Sequence, residues 1–514
     1  MNFLRIALPV AGVCVVLGTY SQGFNKRYDA FGQGYAQGSY GIERTGTGYV
    51  VLSGSFEPDT VAPDSFLTAY SIILQQIDGQ GTMGWQHRYH RPLHFEFLGW
   101  ADCCDTVFGG GYVVGGGSKN IDGVDEARLV RFNAQGDSLW SRTFGGLGEY
   151  WIGQQVKHLA DGGFVICGGT DATGDQDGFL IRTDADGSEL WRQTYGWEDP
   201  VFIDGISAVA EADDGDLYMS GSRFTSYEEG QHWVQRTDPY GVLRWRVDWG
   251  GPYKEGATYL GLLSDGFPLV SGGSGYAPEY LSMRPYLAKL DTADGSRLWE
   301  REYGTAHQST AFFAAKECPN TDIIACGVIY EGGHEQGLLL RASSNGDSLW
   351  MRNYWYHDSL IDQGEGRFWD VLPTADNGFI MSGFANYPFA GAFPPGYSLD
   401  AWVVKVDSLG CIIPGCDGTG VTELITNLGN ALTVFPNPAH GEIQVVLELP
   451  ASLGQGALDL MIVGMDGRVV RRVPWAGNGS NTMRVDVRDL SAGLYTLHIT
   501  EGTKWITGTK LIIE

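Results

Sequence analysis

Phe179-Leu-Ile-Arg-Thr-Asp184-Ala-Asp-Gly187-Ser-Glu-Leu-Trp191-Arg-Gln-Thr-Tyr195-Gly196 reads as a strand, a turn carrying glycine, and a strand led by tryptophan. The spacing recurs. Glycine precedes tryptophan by four residues in Gly81/Trp85, Gly136/Trp140, Gly187/Trp191, Gly241/Trp245, Gly295/Trp299 and Gly346/Trp350. Successive tryptophans lie 51 to 55 residues apart. Asp-x-x-Gly supplies the turn, because Asp bonds its own backbone and Gly tolerates positive φ. A second half-repeat is a glycine turn running into a strand that ends in small residues, as in Asp161-Gly-Gly-Phe-Val-Ile-Cys-Gly-Gly169. Its seven copies begin near Gly46, Gly110, Asp161, Asp214, Asp265, Thr321 and Asp376.

A period near fifty residues holds four short strands and their turns. Sheets arranged radially leave only short, protected edges, and a large aromatic ring fills the widening gap between neighbours. The expectation is all-β: a seven-bladed β-propeller over 22–416. The seventh copy, Asp400-Ala-Trp-Val-Val-Lys-Val-Asp407-Ser-Leu-Gly410, lacks its tryptophan-led strand. Phe24-Asn-Lys26-Arg-Tyr28 echoes that strand, so the N-terminal segment is expected to complete the last blade. Its register stays open, since Phe31-Gly32 could align with Tyr195-Gly196 instead.

The 514 residues include 75 glycines and 12% aromatics, and carry a net charge of −27. A disordered glycine-rich chain would lack the aromatics. The charge argues against nucleic acid, whose phosphates need a basic face. Arg5, the apolar run Ile6–Gly18 and the small residues around Thr19-Tyr20-Ser21 read as a signal peptide over 1–21. That run is too short to span a bilayer comfortably, and no other stretch reaches transmembrane length. Export places Cys103, Cys104, Cys167, Cys318, Cys326, Cys411 and Cys416 in an oxidising space. Cys411 and Cys416 flank a tight turn and are the expected disulfide. Cys318 and Cys326 are read either as a second pair or as core thiols.

Beyond a linker at 417–431 the repeat stops. Short strand-like runs from Leu432 to Glu514 imply a small Ig-like β-sandwich. Phe435-Pro436-Asn437-Pro438, Met465-Asp-Gly467-Arg-Val-Val470, Asp489-Leu-Ser-Ala-Gly493-Leu-Tyr495 and Lys510-Leu-Ile-Ile-Glu514 resemble the type A C-terminal sorting domain of the Bacteroidota type IX secretion system. The resemblance implies recognition by that machinery, passage of the outer membrane, and release or attachment at the surface of a Gram-negative cell.

Long, variable loops fall on one side of the expected ring. They carry Tyr227, Glu228, Tyr276, Tyr280, Trp355, Tyr356 and Tyr397, which are read as a binding face at the mouth of the central channel, for a glycan or protein ligand. Leu290-Asp-Thr-Ala-Asp-Gly-Ser-Arg-Leu-Trp299 resembles the tryptophan-docking motif of pyrroloquinoline-quinone-type propellers, and the vicinal Cys103-Cys104 points the same way. Those enzymes usually have eight blades, and the docking motif is also structural in non-enzymatic relatives. Calcium could be held by Asp171, Asp175 and Asp177, or by Asp122 and Asp125, although turns favour these residues anyway. His87, His90 and His94 could hold zinc but fit solvated loops better. No nucleophile elbow, phosphate loop or HExxH is present, so no catalytic residue is assigned. The sequence favours a non-catalytic, exported binding propeller over a polysaccharide hydrolase or lyase and over a structural or adhesive surface protein. Removing 432–514 is expected to trap the protein in the periplasm, read by fractionating the producing cell; unchanged secretion contradicts the sorting reading.

Overall fold

The computed structural model describes residues 23–30, 37–58, 68–92, 94–120, 122–146, 148–174, 176–197, 203–224, 230–276, 283–304, 309–331, 334–356, 365–387, 398–412, 422–423, 431–447, 449, 457–464, 469–475, 481–501 and 504–514. The predicted signal peptide, Cys416 and Gly467 lie outside the described residues. No α-helix occurs among the described residues.

Among them, 24–406 form seven antiparallel sheets. Five follow the chain directly, strand by strand, from an inner to an outer strand. The third is typical: Trp151–His158, Phe164–Thr170, Asp177–Thr183 and Glu189–Tyr195. In the second, the inner position is divided between His94–Leu98 and Cys104–Thr106, both paired with Tyr112–Asn120. Each sheet packs on the next, and the seventh packs on the first. The inner strands meet around a common centre, which is the arrangement of a β-propeller.

Apolar cores fill the seams between sheets, one of them continuous from the fifth sheet through the seventh. Val113, Leu129, Val156, Ile166 and Ile181 fill the seam between the second and third sheets. The outer-strand tryptophan locks six of the seven seams from outside. A Cβ at Gly187, in the turn of the third sheet, would lie 2.8 Å from the Trp140 ring of the second. Gly187 also takes φ +78°, so both sterics and backbone require glycine there. Asp184 shapes that turn by accepting the Asp186 and Ser188 amides at 3.0 and 2.8 Å. The hydroxyls of Tyr195 and Tyr354, which end outer strands, donate to the next turn glycine. Tyr195 reaches Gly241 O at 2.9 Å, and Tyr354 reaches Gly410 O at 2.8 Å.

Phe24–Tyr28 pairs antiparallel with Ser398–Val406 as the outer strand of the seventh sheet. The register is resolved: Phe24 faces Lys405 and Tyr28 faces Ala401. Phe24 takes the tryptophan's place, with a Cβ at Gly81 only 2.7 Å from its ring. Tyr28 Oη donates to Gly81 O at 2.8 Å, so Tyr28, not Phe31, corresponds to Tyr195. The core Phe24, Tyr28, Ile42, Val51, Ile380 and Val403 seals this seam.

The tail forms a five-stranded and a three-stranded sheet around Ile443, Val445, Leu460, Ile462, Leu497 and Leu511. Leu432–Phe435 belongs to the three-stranded sheet, and Thr422–Glu423, within the expected linker, pairs parallel with Lys504–Ile513. Asn437 ties the Pro-Asn-Pro turn to the last strand: its Nδ2 donates to Lys510 O at 2.9 Å, and its Oδ1 accepts the Ile512 amide at 2.8 Å. Pro436 and Pro438 both follow cis peptide bonds. Tyr495 Oη donates to Ser491 O at 2.8 Å, just before Gly493.

Cys318 and Cys326 are buried free thiols, so the core-thiol reading holds for them. Cys411 is fully buried, and its expected partner Cys416 lies outside the described residues. Truncating the Phe24 ring to alanine is expected to cost about 3–5 kcal/mol, as for a buried aromatic, and Tyr28→Phe about 1 kcal/mol for its hydrogen bond. Urea unfolding of the mature chain measures both, and an unchanged midpoint for Phe24→Ala contradicts the closure.

Candidate functional site

Six inner strands carry one residue more than the strand they pair with. The register shifts lie between Ser39/Gly41, Gly153/Gln155, Ile206/Ala208, Ala257/Tyr259, Phe312/Ala314 and Phe368/Asp370. The extra residues are Tyr40, Gln154, Ser207, Thr258, Phe313 and Trp369. In the second sheet the interruption is longer: Leu98 opposes Gly116 and Cys104 opposes Val114, which leaves Gly99–Cys103 to bulge. A bulge bends its strand and re-aims its side chains. Here the bulges build the centre of the ring.

The segment Gly99–Cys103 leans on both neighbouring sheets. The Trp100 amide donates to Gln154 O at 3.0 Å, and the Asp102 amide donates to Tyr40 O at 3.2 Å. Above it lies an aromatic shelf. The Trp100 ring meets Trp369 edge-on with centroids 5.8 Å apart. Trp369 stacks on Phe313 at 4.3 Å and on Tyr40 at 5.7 Å. The contact between Trp100 of the second sheet and Trp369 of the seventh passes over the first sheet, so the shelf stands at the ring's centre. Arg367 lies 5.7 Å from the Trp369 ring and is held by Glu335. Trp100 is 51% exposed, whereas Trp369 is 8% exposed. Trp369 Nε1 and Gln154 Oε1 are buried without a hydrogen-bond partner among the described residues.

Next to the shelf is an ionic cluster made by four sheets. Asp102 Oδ2 meets Lys157 Nζ at 2.5 Å, and its Oδ1 meets Lys316 Nζ at 3.1 Å. Lys316 Nζ also meets Asp370 Oδ1 at 2.8 Å, and Asp370 Oδ2 accepts the Ile42 amide at 3.0 Å. Asp102 takes φ +58° in a turn of the bulged segment. Burial alone would raise its carboxyl, but Lys157 and Lys316 outweigh burial and lower it. Burial raises Glu43 well above the usual carboxylate range; Lys316 opposes this, and Asp105, Asp102 and Asp370 reinforce it. Burial also raises Asp370 against the pull of Lys316. Both ammonium groups are raised: burial opposes this, and their carboxylate neighbours prevail.

Cys103 and Cys104 sit beside this cluster as buried, unbonded thiols. Burial and the neighbouring carboxylates push both thiols up, which suppresses the thiolate a nucleophile needs. The charges neutralise one another, and the arrangement is that of a structural ion network beside an open aromatic surface.

Of the residues expected from sequence, Tyr276, Trp355 and Tyr356 are described and are not part of the shelf. Tyr276 lies under the Arg284 guanidinium at 5.3 Å. Trp355 and Tyr356 stand at the closing seam, where Asn25 Nδ2 donates to Trp355 O at 2.9 Å and Arg27 covers the Tyr356 ring at 5.4 Å. Tyr227, Glu228, Tyr280 and Tyr397 lie outside the described residues. Of the calcium candidates, Asp171 accepts the Tyr150 amide at 2.6 Å and Asp125 meets Lys119 at 3.0 Å. The shelf escaped sequence reading because a bulge is a mismatch between two strands, and neither strand reveals it alone. Its one trace is an aromatic in the middle of an inner strand, as in Phe312-Phe313 and Phe368-Trp369.

Residues 433–514 match the secretion system C-terminal sorting domain. Residues 78–364 match a family described as outer membrane protein assembly factor BamB. No curated protein matches the chain. Among solved structures, the chain is similar to the periplasmic gluconolactonase PpgL of Pseudomonas aeruginosa, at 13% identity over 70% of this chain and 97% of that one, with a TM-score of 0.40. It is also similar to a europium-containing methanol dehydrogenase, at 10% identity over 75% and 92% of the two chains, with a TM-score of 0.40. A third is a protein of unknown function from Bacteroides caccae, at 12% identity over 64% and 96%, with a TM-score of 0.36. The match over 78–364 spans more than half of the chain's 514 residues, and the protein belongs to that propeller family, described as outer membrane protein assembly factor BamB, with a secretion-system sorting domain at its end.

Proposed function

We propose that this protein is a non-catalytic binding propeller of seven blades, spanning 22–416, delivered outside the cell by an Ig-like sorting domain at 432–514. The type IX sorting tail indicates export to the cell surface or extracellular space. The ligand sits on the aromatic shelf at the centre of the ring, and its class is a glycan. One observation carries this: an indole ring 51% exposed at Trp100, backed by Trp369, Phe313 and Tyr40. Exposed aromatics of this size supply flat contact area at little entropic cost, and a sugar ring has an apolar face to lay on them. The absence of catalysis rests on the cluster below the shelf, where Lys316 bridges two carboxylates and both thiols are held protonated. Signal-peptide cleavage after Ser21 and the Cys411–Cys416 pairing belong to the same reading.

Two measurements test it. A glycan array followed by calorimetry on the best hit is expected to show at least about a tenfold weaker Kd for Trp100→Ala, roughly 1.4 kcal/mol. Equal binding by that variant, or turnover of the bound polysaccharide by the wild type, overturns the proposal. The ion network predicts a pH dependence through Glu43. A carboxyl raised on folding contributes stability at low pH, and that contribution is lost as pH rises past its unfolded value. Glu43→Gln is therefore expected to melt higher than the wild type at pH 8, with the difference vanishing near pH 4. Asp102, lowered on folding, works the other way: Asp102→Asn is expected to lose its destabilising effect as pH falls.

A further inference from the structure

Away from the shelf, the connection between the fourth and fifth sheets opens a cleft of about 600 Å³. Trp249, Gly250, Gly251 and Glu255 form one side, and Tyr286, Glu300 and Glu302 are among the residues of the other. Glu255 is the unusual member. It is 5% exposed, and its Oε1 accepts the Gly251 amide at 2.5 Å. Its Oε2 stands 3.4 Å from Nε2 of His232, a fully buried ring stacked on Tyr286 at 4.8 Å. Neither His232 nitrogen has a hydrogen-bond partner by normal geometry among the described residues. No lysine or arginine pairs with Glu255 among the described residues.

The other carboxylates of the cleft are occupied. Glu300 accepts the Tyr286 hydroxyl at 2.8 Å and lies 3.3 Å from Arg297. Glu302 accepts Ser274 Oγ and Arg284, each at 2.8 Å. Arg301 turns to Asp347 at 3.5 Å, Arg297 covers the Trp249 ring, and Lys254 lies over Phe224 at 5.2 Å. A buried carboxylate without a counter-charge is costly unless it is protonated or meets a cation. We propose that the cleft binds a small primary ammonium compound, its nitrogen against Glu255.

The geometry couples binding to a proton. Burial pushes the Glu255 carboxyl up to about 7; the Gly251 amide opposes this, Glu302 and Glu300 add to it, and Arg297 opposes it. Burial and Arg297 hold His232 down at about 3, so His232 supplies no positive charge at neutral pH. An arriving ammonium needs the Glu255 carboxylate and displaces its proton to solvent. Affinity therefore rises with pH until Glu255 is ionised without help.

Calorimetric titration of the full mature chain with n-butylammonium chloride, against potassium chloride at equal ionic strength, tests the proposal. The expected result is saturable binding at pH 8, with Kd weakening close to tenfold for each unit below pH 6. Glu255→Gln is expected to weaken binding at least tenfold and to flatten the pH profile. Glu300→Gln is expected to weaken it without flattening the profile, which guards against a folding defect in the first variant. Trp100→Ala is expected to leave amine binding unchanged, which separates this cleft from the shelf. No saturable binding at pH 8, an unchanged profile in Glu255→Gln, or loss of amine binding in Trp100→Ala would each overturn it.

Discussion

The architecture depends on an aromatic ring laid over a glycine of the next sheet. Trp140 over Gly187 is the pattern, and Phe24 over Gly81 is its closing instance. A β-sheet edge exposed to water is a liability, and a radial arrangement protects edges only if every seam is sealed. The glycine serves two constraints at once. Its positive φ makes the turn, and its missing Cβ admits the ring. Substitution there strains the turn and unseats the neighbour together. This explains why the six Gly-x-x-x-Trp copies keep one spacing while the loops between them vary.

The closing seam uses non-local chain at a physical cost. Phe24–Tyr28 meets Ser398–Val406 only after the intervening repeats have been made, and ordering so long a loop costs entropy. The compensation is concentrated. Asn25 Oδ1 accepts from Trp402 Nε1 at 2.6 Å, Arg27 pairs with Asp400 at 2.9 Å, and Tyr28 caps the first sheet's turn. Trp355 and Tyr356 serve the same seam. Their exposed-loop setting in the sequence suggests a ligand surface, but their partners are the protein's own first strand.

At the centre, a single displaced segment organises both the shelf and the ion network. Gly99–Cys103 bonds to the inner strands on either side, which lifts Trp100 to the surface and turns Asp102 inward. Asp102 then gathers Lys157 and Lys316 from opposite directions, and Lys316 passes the connection to Asp370. Charges enclosed in this way are stable only as a fully paired set. A network tying four sheets favours a rigid centre, which suits presentation of a preformed surface.

The sequence by itself determined the repeat, the number of half-repeat copies, the strand that closes the ring and the sorting tail. Each is carried by local chemistry at fixed spacing: Asp-x-x-Gly turns, a ring four residues beyond the glycine, and the Pro-Asn-Pro and Gly-x-Tyr signatures of the tail. Only the tertiary structure decided the register of Phe24–Tyr28, the shelf, the ion network and the Glu255 cleft. The shelf and network arise from bulges on separate inner strands, and bulged residues far apart in the chain meet only when the ring closes. The cleft lies between two sheets, where no periodicity marks it. A carboxylate such as Glu255 looks like any surface acid in sequence, and burial without a counter-charge is a property that its neighbours in space confer.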